Sequence, residues 1–175
     1  MDASVVGDLL PRDRRRDQAA LVVPAADREM SYRDFFTTAY KAGNVLRFLG
    51  TSETSTVAIE PQPAPEPLLA FLGAAQLGAT ATFDPTADAR LRLVGVEQEA
   101  EYTPPSGAKL AVYGGPPESP TTVHWEQQVW SENPGFPETP VDSDATVLRA
   151  DGEDYSHADL LAAADEVVDA VGLDG

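Results

Sequence analysis

The sequence predicts an α/β protein, a single domain over 1–175 with a mostly parallel sheet and flanking helices. Three observations carry that reading. Val57 to Phe83 runs buried strand, apolar helix, strand, the compact β-α-β unit from which parallel sheets are built. Phe35, Phe36, Ala39, Ala42, Leu46 and Leu49 recur at the spacing of one helix face. Hydrophobic residues make up 42% of 175 residues, enough for one real core and too few for two comfortable domains.

Taken in order, AALVV (Ala19 to Val23), AADRE and MSY read as a small hairpin leading into a helix. Ser31 can cap that helix, with Asp34 three residues on in a capping-box position, and Gly50 ends it. TVAIE is a buried-strand pattern, LLAFLGAAQLG an apolar helix, and ATATF, ending at Asp84-Pro85, a second strand. Arg90 to Val96 and Lys109 to Tyr113 follow as strands separated by a Pro-Pro-Ser-Gly turn. The stretch 114–144 is loop-rich, and only HWEQQVW (His124 to Trp130) suggests an ordered piece. Ala145 to Leu173 then reads as a strand, a tight turn and a helix capped by Ser156. Ala19 to Ala39 and Ala145 to Ala164 echo each other: strand, acidic turn, Ser at a cap, Asp three residues on, paired apolar step. A common local solution accounts for the echo, and an internal duplication is the rarer account.

Charge excludes several functions. Asp plus Glu total 29 against 12 Lys plus Arg, a formal net charge of −17. Such a field repels nucleic-acid phosphates and anionic lipid heads, so neither nucleic acid nor membrane is an expected partner. Lys41 and Lys109 are the only lysines, and the acids are spread along the chain. That composition is like that of proteins from salt-in halophiles, where cations screen self-repulsion. With no cysteine there is no disulfide framework, thiolate metal site or thiol nucleophile. No apolar stretch is long enough to span a bilayer and the N-terminus has no signal-peptide core, so the expected location is cytoplasmic.

The candidate sites are weak. EPQPAPEP follows the first strand of the β-α-β unit, where doubly wound sheets bind ligands, but its prolines lack N–H donors and Glu60 and Glu66 add negative charge. It reads as a rigid connector. In VYGGPPESPTT, Gly114-Gly115 could approach an anion, yet prolines and Glu118 interrupt the loop and a turn is the better reading. His124 and His157 have no neighbours at metal spacing. His157 reads as a first-turn helix residue, and His124, beside Trp125, as part of a packed aromatic patch. Trp125 and Trp130 are packing anchors, or a partner surface if exposed together. RDRRRD (Arg12 to Asp17) is a salt-bridged surface. No catalytic, cofactor-binding or metal residue is assigned, and no cofactor is expected.

Several segments, in order, resemble the N-terminal part of the adenylate-forming (AMP-binding) acyl-CoA synthetase superfamily. They are AALVV…MSYRDFFTTAYKAGNVLRFLG, then STVAIEPQPAPEPLLAFLGAAQLGATATFDP, then TVHWEQQVW, DSDATVL (Asp142 to Leu148) and YSHADLLAAA (Tyr155 to Ala164). The resemblance implies the family's first subdomain, and all of these are scaffold motifs. Between the strand that DSDATVL resembles and the helix that YSHADLLAAA resembles, the family carries a Ser/Thr/Gly-rich loop ending in Pro-Lys-Gly that holds the ATP phosphates. Here RADGEDY joins them, with one glycine, Gly152, no lysine, and Asp151, Glu153 and Asp154. A phosphate cradle needs free backbone N–H groups and a cation, and three carboxylates within a Debye length repel ATP. The family's downstream motifs are absent as well, so the chain is expected to be a truncated relative that adenylates nothing on its own. The expected role is a binding module for a protein partner or a small acyl or nucleotide-like ligand, with self-association as a further expectation. The alternative is half of a split synthetase, active only with a partner chain.

Overall fold

A computed structural model describes residues 3–11, 13, 16–84, 86–135 and 139–172. It is an α/β structure built on a seven-stranded sheet, with a separate two-stranded hairpin. In chain order the hairpin is β1 (Ala19–Val23) and β2 (Arg28–Ser31), which leads into α1 (Tyr32–Phe48). The sheet begins with β3 (Thr56–Ile59), α2 (Pro65–Gln76), β4 (Thr80–Thr82), β5 (Leu91–Gly95) and β6 (Lys109–Tyr113). It is completed by β7 (Val123–His124), α3 (Trp125–Ser131), β8 (Thr146–Ala150), β9 (Glu153–Ser156) and α4 (His157–Val171). The spatial order is β7-β6-β5-β3-β4-β8-β9, parallel throughout except for the antiparallel β8–β9 pair.

The expected β-α-β unit is the hub of this sheet. β3 and β4 lie side by side, pairing Val57 with Ala81, and α2 crosses between them. Helix α2 is apolar nearly all round because it is covered on several sides, by the sheet and by α1. Val57, Ile59, Leu91, Leu93, Ala111 and Tyr113 join Leu46, Leu69 and Leu72 of the helices in one buried cluster. The opposite face of the sheet carries a smaller cluster of Val94, Leu110 and Val112, packed by Val96 and Tyr102. Arg92 extends there over the Tyr102 ring, 4.9 Å from its centre.

Helices α1 and α2 approach closely at two glycines. A Cβ on Gly73 would stand 2.7 Å from the backbone nitrogen of Gly43 and 3.0 Å from the carbonyl carbon of Ala42. Only hydrogen fits at that crossing. Gly50 ends α1 as expected, with φ 92° in the left-handed region.

Both serine caps form. Ser31 Oγ accepts the Asp34 N–H at 3.1 Å, and Ser156 Oγ accepts the Asp159 N–H at 3.1 Å. Asp159 completes a capping box by accepting the Ser156 N–H at 2.8 Å. The Ser156 hydroxyl and backbone N–H hold the Asp159 carboxyl below its ordinary value, so this contribution is present above that value and fades as pH falls through the lowered one. Ser156→Ala is expected to lower stability by about 1 kcal/mol, measured by urea unfolding. An unchanged midpoint would show that the cap does not support the helix.

The segment after Ala145 departs from the expected strand, turn and helix. A second strand, β9, intervenes, pairing Leu148 with Tyr155, Arg149 with Asp154 and Ala150 with Glu153. Asp151 and Gly152 form the turn, with φ of 53° and 81°, the positive-φ pair that a two-residue hairpin connection requires. Leu173 and Pro85 lie outside the described residues, as do Arg12, Arg14 and Arg15 of the basic cluster. Within that cluster Asp17 pairs with Arg33 at 3.0 Å.

The sequence echo recurs in three dimensions. In the first hairpin Ala19 pairs with Ser31 and Leu21 with Met30, with a bulge between. In the second Thr146 pairs with Ser156 and Leu148 with Tyr155, with a bulge at the equivalent place. Each strand pair then feeds a helix capped by the same serine. The hairpins differ in their turns, Pro24 to Asp27 in one and Asp151-Gly152 in the other.

Candidate functional site

In an open parallel sheet, ligands bind in the crevice beyond the carboxyl ends of the strands. Here that edge collects the segments following β3, β5 and β6, the N-terminus of α2, and the β8–β9 turn. Carboxylates or amides occupy donors after β5, after β6 and at the β8–β9 turn.

After β6, Gly114 has φ 87° and donates its N–H to Glu126 Oε1, on α3. Further along the same loop, the N–H groups of Glu118 and Ser119 donate to the two oxygens of Glu99, at 2.7 and 3.0 Å. These bonds hold the Glu99 carboxyl below its ordinary value. The glycine-bearing loop is thus an anion nest filled from within the chain. After β5, the Gly95 N–H donates to Gln98 Oε1 at 3.3 Å. After β3, Gln62 donates to Glu97 at 2.8 Å and to Gln98 at 2.9 Å, tying the proline-rich connector to the next loop.

The N-terminus of α2 has no side-chain cap, and its first turn is poor in donors and negatively charged. Pro65 opens the helix, Pro67 falls in its first turn, and Glu66 places a buried carboxylate at the positive end of the dipole. Arg28 of β2 approaches Glu66 at 3.5 Å. The Tyr113 hydroxyl, buried beneath this edge, donates to the Glu60 carbonyl at 3.5 Å. Burial pushes its ionisation well up, and the charges of Glu97, Glu66, Glu60 and Glu126 push it further.

At the β8–β9 turn, Arg149 makes two bonds to Asp154, Nε to Oδ1 at 2.6 Å and Nη2 to Oδ2 at 3.2 Å. One of the three acids expected to repel phosphate is therefore neutralised across the hairpin, while Asp151 and Glu153 remain exposed. Thr82, Phe83, Asp84, Arg149, Asp151 and Gly152 line an open depression of about 440 Å³ beside it. Asp84 is engaged by Thr86, whose N–H and hydroxyl donate at 2.8 and 2.7 Å.

The remaining candidates separate in space. His124 Nε2 stands 3.5 Å from Glu126 Oε2, and His157 is buried at the start of α4, far along the chain. Trp125 is 1% exposed and a core anchor, whereas Trp130 is 82% exposed. The two tryptophans form no shared surface. No group of three or more His, Asp or Glu side chains among the described residues could hold a metal ion. No helix among them is long and apolar enough to cross a membrane.

The α/β fold, with its mostly parallel sheet and flanking helices, matches that of the N-terminal part of acyl-CoA ligases. Among solved structures, the anthranilate CoA ligase AuaEII in complex with anthranoyl-AMP superposes with a TM-score of 0.71 at 21% identity, covering 82% of this chain and 31% of that one. The N-terminal domain of FACL13 from Mycobacterium tuberculosis gives 0.68 at 20%, covering 87% and 44%. ATP-bound MatB from Rhodopseudomonas palustris gives 0.74 at 16%, covering 95% and 37%. The chain thus spans less than half the length of each of these structures. No protein-family model matches the sequence, and no curated protein matches it significantly.

Proposed function

We propose that this chain is a non-catalytic relative of the AMP-forming acyl-CoA synthetases that acts as a binding module for a protein partner or a small acyl or nucleotide-like ligand. The observation that carries this reading is the β8–β9 junction. Where the resemblance calls for a phosphate-holding loop, a two-residue Asp151-Gly152 turn closes a hairpin, with its only guanidinium committed to Asp154. The self-filled donors of the Gly114 loop support it from the other side of the edge. A net charge of −17 also opposes polyphosphate approach and suits a high-salt setting.

The test is calorimetry and thermal shift in molar KCl against ATP, AMP, CoA and acyl-CoA, with an assay for AMP release. ATP is expected to give no binding heat and no shift, and no carboxylic acid with CoA is expected to elicit AMP. ATP-dependent AMP release by the purified chain would overturn the proposal. Release only after a second polypeptide is added would favour a split synthetase instead.

A further inference from the structure

We infer that His157 is an acid-sensitive latch: its neutral ring holds the N-terminal turn Val6–Leu9 against the start of α4, and protonation releases that turn. His157 is the first residue of α4 and is fully buried. Its Nδ1 accepts the Val6 N–H at 3.1 Å, across 151 positions of sequence. Nδ1 is therefore the unprotonated nitrogen and Nε2 carries the hydrogen. Nε2 has no hydrogen-bond partner among the described residues. A second proton has one place to go, Nδ1, and there it turns the acceptor into a donor facing another donor.

The backbone that carries the ring is held in place. The His157 backbone N–H is held by the Ala145 carbonyl at 3.2 Å, and the next N–H by Ser143 at 3.0 Å. The turn that it holds is a part of the core in its own right. Val6 and Leu10 are buried in the main cluster, Gly7 lies against Gln76 of α2, and the Tyr40 hydroxyl donates to the Leu10 carbonyl. Releasing the turn uncovers that apolar surface.

The charged groups on the surrounding elements do not replace the lost bond. On the turn, Asp8 accepts the N–H groups of Ser4 and Val5 at 2.8 and 3.1 Å, and its charge favours the imidazolium. On the segment before β8, Asp142 accepts the Asp144 N–H at 3.1 Å. On α4, Asp159 is engaged by Ser156, and α2 contributes the neutral Gln76. The Arg149–Asp154 pair sits toward the other end of the hairpin. Burial outweighs Asp8 and holds the imidazole below its ordinary value. The folded form therefore resists the proton that the released form accepts. Attachment is complete above the ordinary imidazole value of about 6.5 and weakens as pH falls below it.

The test is residue-resolved amide exchange by NMR on the whole chain. The Val6 protection factor is expected to be constant above roughly pH 6.5, to drop by up to about tenfold per unit below it, and to level off below the lowered value of the folded form. Residues 3–11 should lose their native amide shifts while β3 and β4 keep theirs. In His157→Asn, whose side-chain oxygen can accept the same N–H without titrating, the drop should vanish, and in His124→Gln it should persist. A pH-independent Val6 amide in the native chain, the same drop in His157→Asn, or simultaneous unfolding of β3 and β4 would overturn the inference. Should His157→Asn not fold, the ring nitrogens of the native chain decide. Nδ1 protonated at neutral pH, or titration at or above the ordinary imidazole value, would overturn it equally.

Discussion

Replacing Trp125 by alanine is expected to remove about 3–5 kcal/mol of stability, the usual cost of deleting a buried aromatic side chain. Trp125 opens α3 directly after the short strand β7 and is the largest fully buried side chain. It lies in the main cluster, under a helix of only seven residues that cannot sustain itself by local hydrogen bonding. Alanine leaves a void that the neighbouring strands, fixed by their ladder bonds, close only in part. The loss corresponds to a fall of roughly 6–20 °C in Tm for a chain of this size. Urea unfolding at constant salt measures it, since net charge makes stability depend on ionic strength. A loss below about 1 kcal/mol would mean that α3 and β7 are not seated on the core. The same change at Trp130, which is exposed, should be close to neutral.

Gly73→Val is expected to be the next most damaging change, at about 1–3 kcal/mol. The obstacle is backbone: Gly43 nitrogen and the Ala42 carbonyl carbon stand where the new Cβ must go. Backbone of one helix cannot rotate aside as a side chain does, so the two helices must part and lose contact along their length. Alanine at the same position meets the same Cβ clash but gains up to about 1 kcal/mol of helix propensity. Its measured loss should therefore be smaller than that of valine. A valine variant with native stability would show that α1 and α2 have room to separate.

Much of this architecture was legible because it is local. The β3-α2-β4 unit follows from apolar runs separated by turn residues within 56–82, and both serine caps follow from Ser and Asp three residues apart. β9 escaped because EDYS lacks apolar alternation and is a strand through its pairing with β8. The Asp-Gly pair at its turn is the local signal that could have revealed it. The filled nest at Glu99 was not legible, because its donors lie 19 and 20 residues away. Nor was the role of His157. A lone histidine after a serine reads as a helix residue, and its partner Val6 lies 151 positions away in the sequence. The make-up of the β8–β9 turn, in contrast, was legible directly: RADGEDY offers one glycine and three acids.

The strand order has a consequence for assembly. The central pair β3 and β4 comes from one contiguous stretch, so the middle of the sheet can close first with a short crossover. β5, β6 and β7 then add outward on one flank in the order of the chain. β8 must instead return past that entire flank to reach β4, closing a loop of more than sixty residues, and β9 and α4 can seat only after it. The sheet therefore grows from its centre to its rims, and the half that carries β8, β9 and α4 should be the slow one to arrive.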